Sequence, residues 1–117
     1  MQYLLLIYTP EQAWTAMSEA ERNAMYGEYF AFTAGIKQSG HWLGGNPLQP
    51  VRSATTVRVR DGKASSTDGP FAETREQLGG YYLVEAKDTG EATAIAARIP
   101  GARVGAVEVR AVSNVGA

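Results

Sequence analysis

Gln2-Tyr3-Leu4-Leu5-Leu6-Ile7-Tyr8 is apolar at nearly every position. A strand with one wet face would alternate polar and apolar residues instead. Successive strand side chains point to opposite sides, so Leu4 and Leu6 face one way and Tyr3, Leu5 and Ile7 the other. Both sides of this opening strand therefore need cover.

Working outward, Thr9-Pro10 ends the strand. Ser18-Glu19-Ala20-Glu21 has capping-box spacing and predicts a helix to about Gln38, with Met25, Tyr29, Phe32 and Ile36 as its apolar stripe. Gly40 is the expected stop. Gly27 and Gly35 each weaken that helix by about 1 kcal/mol relative to Ala, which tight packing against the sheet would explain. Residues 41–50, His-Trp-Leu-Gly-Gly-Asn-Pro-Leu-Gln-Pro, read as a Gly/Pro-rich loop.

Residues 54–60 alternate, with Val57 and Val59 opposed to Thr56, Arg58 and Arg60, and Asp61-Gly62 turns the chain back through Lys63 to Thr67 as a hairpin. Residues 81–86 give another strand. Asp88, with Glu91 three positions on, caps a second helix whose stripe is Ala92, Ile95, Ala96 and Ile99, stopped by Pro100-Gly101. Residues 104–112 form the last strand, Val107, Val109 and Ala111 facing opposite to Glu108 and Arg110. The folded domain spans residues 1–112, and 113–117 read as a frayed tail.

Two helices on one face of a mostly antiparallel sheet make an α+β fold, a ferredoxin-like sandwich with an added β-hairpin. The helices cover one face of the opening strand. The other face would expose several hundred Å2 of apolar surface, which soluble monomers seldom tolerate. The expectation is a homodimer packed through its sheet faces.

The 117 residues suit one domain, and 44% hydrophobic with 20% charged residues is an ordinary globular composition. Eleven basic and twelve acidic side chains leave a net charge of -1, so no global field favours nucleic acid or an anionic membrane. There is no cysteine, which removes thiol catalysis, disulfides and thiolate metal sites. The short apolar N-terminal run lacks a basic leader, no stretch reaches the length of a membrane span, and a cytoplasmic protein is expected.

The candidate site lies in Thr67-Asp68-Gly69-Pro70-Phe71-Ala72-Glu73-Thr74-Arg75-Glu76-Gln77-Leu78-Gly79-Gly80-Tyr81-Tyr82-Leu83. Gly69-Pro70 breaks the backbone and Gly79-Gly80 precedes the next strand. Between them Glu73, Arg75, Glu76 and Gln77 crowd beside Phe71, more hydrogen-bonding groups than a connector needs. Asp68 is either a general base projecting into a pocket, which requires partial burial to raise its pKa, or a cap of the Gly-Pro turn. His41 is the one side chain with an ordinary pKa near neutrality, and a helix C-terminus gives it an equally good structural role. Arg58, Arg60 and Arg75 together suit a small carboxylate or phosphate, against the alternative of a solvated face with weak surface ion pairs to Glu73 or Glu76. Tyr8 and Tyr82 offer walls and hydroxyls, or simply core.

The opening strand, Gly44-Gly45 with Leu48-Gln49-Pro50, the hairpin Thr56-Val57-Arg58-Val59-Arg60-Asp61-Gly62-Lys63, and Asp68-Gly69-Pro70-Phe71-Ala72-Glu73-Thr74 together resemble the YCII-related family, in its DGPF branch. The resemblance continues through residues 76–83 and 105–110, in the same order along nearly the whole chain. It implies a dimeric α+β barrel of two ferredoxin-like units. It also implies either of two functions. One is a cofactor-independent enzyme of isomerase or lyase type, working by acid–base chemistry on a small organic molecule. The other is a non-catalytic ligand-sensing or regulatory partner, since similar proteins are often found beside extracytoplasmic-function sigma factors. On the enzymatic reading Asp68 and His41 are the catalytic pair, although His41 does not match the motif position of the family's histidine. Tyr8, Arg58, Phe71, Glu73, Arg75, Gln77 and Tyr82 are the substrate-binding set. No metal or other cofactor is expected: one His and no Cys do not make a usual zinc site, and no phosphate-binding loop or nucleophile elbow is present.

Overall fold

The computed structural model describes residues 1–114. Of the expected tail, residues 115–117 lie outside the described residues. Strand β1 (Gln2–Thr9) is followed by helices α1 (Glu11–Ala16) and α2 (Glu19–Gln38), then strands β2 (Trp42–Pro47), β3 (Thr55–Arg60), β4 (Lys63–Asp68) and β5 (Gln77–Glu85). Helix α3 (Thr89–Ala96) and strand β6 (Ala106–Ala111) complete the chain, with short 3-10 turns at Val51–Ser53 and Pro100–Arg103. Four strands form one antiparallel sheet in the order β2-β5-β1-β6, while β3 and β4 pair with each other in a separate hairpin.

The helices form where capping chemistry starts them. Ser18 Oγ accepts from Glu21 N at 3.1 Å, and Glu21 Oε1 accepts from Ser18 N at 2.9 Å. The Ser18 backbone N–H, and to a lesser degree its hydroxyl, favour the ionised carboxylate and hold the Glu21 pKa below its ordinary value. Gly40, at φ +83°, ends the connection from α2. Asp88 Oδ1 accepts from Glu91 N at 2.8 Å to start α3. The expectation of tight packing at Gly27 is not met: a Cβ there would meet open space. Gly35 would meet only the end of the Arg98 side chain, at 3.4 Å.

The core lies on one side of the sheet. Tyr3, Leu5 and Ile7 of β1 and Tyr82 and Val84 of β5 pack with Phe32 and Ile36 of α2, with Ala92, Ile95 and Ala96 of α3, and with Ile99. On the other side Leu4 stands opposite Leu83 and Arg110, and Leu6 opposite Tyr81 and Glu108. Leu4, Leu6, Tyr8, Tyr81 and Leu83 are half-exposed, so this apolar sheet face has no layer over it.

Besides β5, which starts at Gln77 rather than at residue 81 and so takes in Gly79 and Gly80, two elements differ from the expectation. The loop predicted over 41–50 is, from Trp42 to Pro47, the edge strand that completes the sheet. An edge position demands hydrogen bonds on one side only, and so tolerates Gly and Pro that would disfavour a central strand. Gly45 has a further reason: a Cβ there would sit 2.8 Å from Tyr81 O and 2.9 Å from the Tyr82 ring. The second difference is α1, which carries no buried residue and no apolar stripe to announce it. Its Trp14 ring meets Tyr26 edge-on at 5.2 Å.

The hairpin turns through Asp61 (φ 53°) and Gly62 (φ 75°), the paired positive angles of a type I′ turn. It stands away from the sheet, and nearly all of its residues are exposed. The Cα radius of gyration is accordingly 16.1 Å, against about 13 Å for a compact domain of this length.

Candidate functional site

Asp68 ends β4, and the chain leaves it through Gly69 at φ +118°, backbone that favours glycine. Gly69 N donates to Ala54 O at 2.8 Å, and Thr56 Oγ1 donates to Gly69 O at 2.9 Å, fixing that exit. At the far end of the loop Gln77 acts as a clasp. Its Oε1 accepts from Glu11 N at 2.9 Å, while its Nε2 donates to Thr74 O. Glu11 Oε2 in turn accepts from Val51 N at 2.9 Å, joining the 48–53 and 74–77 segments at the start of α1. Thr74 Oγ1 donates to Glu76 O and closes the turn.

The β1–β5 register slips between Ile7 and Tyr8, where Tyr8 pairs with Leu78 and Gly79 is left over. Such a bulge bends the strand and re-aims its side chains. An open cleft of about 560 Å3 lies here, lined by Tyr8, Thr74, Arg75, Glu76, Ala106, Val107 and Glu108. Its volume is within the range of about 300–1,000 Å3 usual for small-molecule sites, but it lies wide open to solvent where such sites enclose most of a ligand. Arg75 is exposed in it, with no ion pair or hydrogen bond to its guanidinium among the described residues. Glu108 is paired with Arg110, whose Nε lies 2.8 Å from Glu108 Oε2.

The expected site residues divide between several places. Tyr8 and Arg75 line the cleft. Glu73 is exposed in the same loop, and Gln77 braces it. Phe71 is 82% exposed and lies beneath the Arg58 guanidinium, 5.9 Å from ring centre to Cζ. Tyr82 points to the helical side, where its hydroxyl is 2.9 Å from Thr33 Oγ1. Burial pushes the Tyr82 pKa upward, opposed by the Thr33 hydrogen bond. Tyr29 is likewise raised by burial, and its hydroxyl accepts from Gly101 N at 3.1 Å. Asp68 is exposed, and its carboxylate has no hydrogen bond among the described residues, to the turn or to His41. His41 lies at the other end of the sheet, with Nδ1 2.7 Å from Ser39 Oγ and Nε2 3.2 Å from Glu91 Oε1.

The model of the YCII-related domain matches residues 1–115. The chain belongs to the YCII-related family. It is 33% identical over 112 residues to an uncharacterized protein of Rhizobium meliloti (strain 1021), covering 94% of this chain and 90% of that protein. In this YCII-related chain, sequence reasoning put Thr74 and Glu76 in the candidate segment but not in the binding set, and missed Glu108 of the cleft altogether. Glu76 had a signal, its place between Arg75 and Gln77. Glu108 had none by itself, because only the register opposite Leu6 brings it beside the loop. Among the described residues no helix is long and apolar enough to cross a membrane, and no group of three or more acidic or His side chains is arranged to hold a metal ion.

Proposed function

We propose that this YCII-related protein is a homodimer that binds a small organic carboxylate in the cleft between the 74–76 turn and the β1–β6 edge. On this reading Arg75 clamps the ligand's carboxylate, Tyr8 supplies a hydroxyl beside it, and Glu76 receives its donor groups. The observation that carries the reading is Arg75, which lines the cleft and whose guanidinium has no ion partner among the described residues. A planar guanidinium fork matches a carboxylate with two parallel hydrogen bonds. The open apolar sheet face supports the dimer, as two ferredoxin-like protomers closing into an α+β barrel of the DGPF type. Acid–base turnover of the bound molecule, of isomerase or lyase type, belongs to this reading, with Asp68 as its candidate base.

A second reading, ligand sensing without turnover, draws on a specific observation. His41 is engaged by Ser39 and Glu91 at the end of the sheet away from the cleft. A catalytic base must come within about 3 Å of the proton it takes, and no histidine stands there to act.

The test is thermal stabilisation across a panel of small mono- and dicarboxylates, repeated on Arg75→Gln, with each hit assayed for conversion by NMR. Stabilisation lost in Arg75→Gln, with unchanged stability of the free protein, is the expected result. Conversion of a hit selects the enzyme and binding alone selects the sensor. A panel in which no ligand depends on Arg75 would sink both.

A further inference from the structure

The β3–β4 hairpin is the least explained part of the molecule. Its register places Thr55 opposite Asp68, Val57 opposite Ser66 and Val59 opposite Ala64, so these six side chains share one face. Val57 is 64% exposed and Val59 58%. The opposite face carries Arg58, and the chain returns along it to lay Phe71 under that guanidinium. Among the described residues of its own protomer nothing covers the valine face. A two-stranded hairpin standing alone is at best marginally stable in water, so this one needs a surface to lie on.

The area of the molecule says what that surface is. The protomer exposes 8034 Å2, whereas a compact monomer of 12.5 kDa exposes about 6,200 Å2. The excess of roughly 1,800 Å2 is more than twice the ~800 Å2 each partner contributes to a standard stable interface. The half-exposed Leu4, Leu6, Tyr81 and Leu83 of the sheet face and the exposed Val57 and Val59 of the hairpin both belong to that excess. A near-neutral chain, at net charge -1, meets little self-repulsion when two copies approach. A second copy of the chain is thus the occupant that accounts for both surfaces at once.

We propose that the β3–β4 hairpin is an arm that closes on a second copy of this chain, valine face inward, and carries Asp68 across the interface into the partner's half of the ligand site. The inference rests on the dimer proposed above. Asp68 is the one charged residue among the paired positions of the valine face, and it does not line the cleft of its own chain. As an isolated arm residue it is exposed to solvent. Docking of Val57 and Val59 removes water from beside it. The site is therefore incomplete in one protomer: Arg75 and Tyr8 come from one copy and the carboxylate of Asp68 from the other.

The absence of native cysteine makes the arm directly readable, because Val59→Cys carries the only thiol. Its rate of maleimide labelling, followed by mass spectrometry, is compared between dimer and monomer, with sedimentation defining each. In the dimer the thiol is expected to label at least about tenfold more slowly than in unfolded chain, since labelling follows access to solvent. In Leu83→Asp, which places a charge on the sheet face, dimerisation is lost and the labelling rate rises to the exposed value. Circular dichroism verifies that this variant is folded; if it is not, dilution of Val59→Cys below its dissociation constant supplies the monomer. A wild-type chain that sediments only as a monomer overturns both the dimer and the arm. A dimer in which the thiol labels as fast as unfolded chain overturns the arm and leaves the dimer standing. Protection that persists in the monomer also overturns it, because the arm would then lie on its own chain.

Discussion

His41 Nε2 lies 3.2 Å from Glu91 Oε1, so the chain's single histidine joins the end of α2 to the first turn of α3. The same carboxylate oxygen accepts from Lys87 N at 3.1 Å, and Ser39 Oγ holds the other side of the ring at 2.7 Å. Tyr3 and Trp42 pair with Val84 at this end of the sheet, whereas the cleft begins at Tyr8. Five residues of β1 span about 17 Å at about 3.3 Å each. The geometry is that of a brace between two helix ends.

His41→Ala is therefore expected to lower unfolding free energy by about 1–2 kcal/mol, the loss of two modest hydrogen bonds, measured by urea denaturation. Ligand binding in the cleft should be unchanged. Loss of ligand turnover at unchanged stability would return His41 to a catalytic role.

Gln77 is expected to matter to the ligand without touching it. Its amide holds Glu11 N on one side and Thr74 O on the other, so it positions the turn bearing Arg75. Gln77→Ala removes both bonds and should cost about 1–3 kcal/mol of stability. It should also weaken binding of any carboxylate that depends on Arg75. Gln77→Glu keeps the acceptor for Glu11 N and loses the donor, so its affinity should fall between wild type and Gln77→Ala. Titration calorimetry checks the order, and equal affinities across the three would show that the turn holds itself.

Much of this molecule is legible from residue spacing, and the misses have physical causes. The α2 and α3 caps were readable because Ser18–Glu21 and Asp88–Glu91 satisfy helix-end donors locally. The strand β1 was readable from its unbroken apolar run, of which Tyr3, Leu5 and Ile7 are buried and Leu4, Leu6 and Tyr8 half-exposed. β2 was not, because its Gly44-Gly45 and Pro47 are unfavourable to strands in isolation, and its formation depends on β5 lying beside it. The cleft was half legible. Arg75 and Tyr8 stand out as unusual residues beside breaks in the chain, but Glu108 reaches the site only through strand order.

Alkaline pH should destabilise the protein through two tyrosines. Burial raises the pKa of both Tyr82 and Tyr29 above the ordinary value of 10.0. The unfolded chain then releases these protons at lower pH than the folded one. Their contribution is fully present below about pH 10 and is lost as pH rises through the folded values. Tyr82→Phe removes one of the two groups and should flatten part of that decline, at the cost of the Thr33 bond at neutral pH. Urea midpoints measured from pH 8 to 11 on both proteins check it. Parallel curves would mean that Tyr82 ionises alike in folded and unfolded chains.

Two glycine substitutions should move stability in opposite directions. Gly27 sits in the middle of α2, where a Cβ meets nothing within 4 Å, so Gly27→Ala should stabilise by about 0.5–1 kcal/mol through helix propensity. Gly105 lies just before β6, where a Cβ would collide with Tyr8 O and stand 2.9 Å from Thr9 Cα. Both neighbours are backbone, so no rotamer change relieves the clash. Gly105→Ala should cost at least about 1–3 kcal/mol, as overpacking does. The strand that must move carries Tyr8, so ligand binding should weaken with it. Thermal midpoints of the two variants, taken with and without a bound carboxylate, check both parts. An Ala at 105 that leaves stability and binding intact would mean that β1 and β6 can separate at this end without consequence for the cleft.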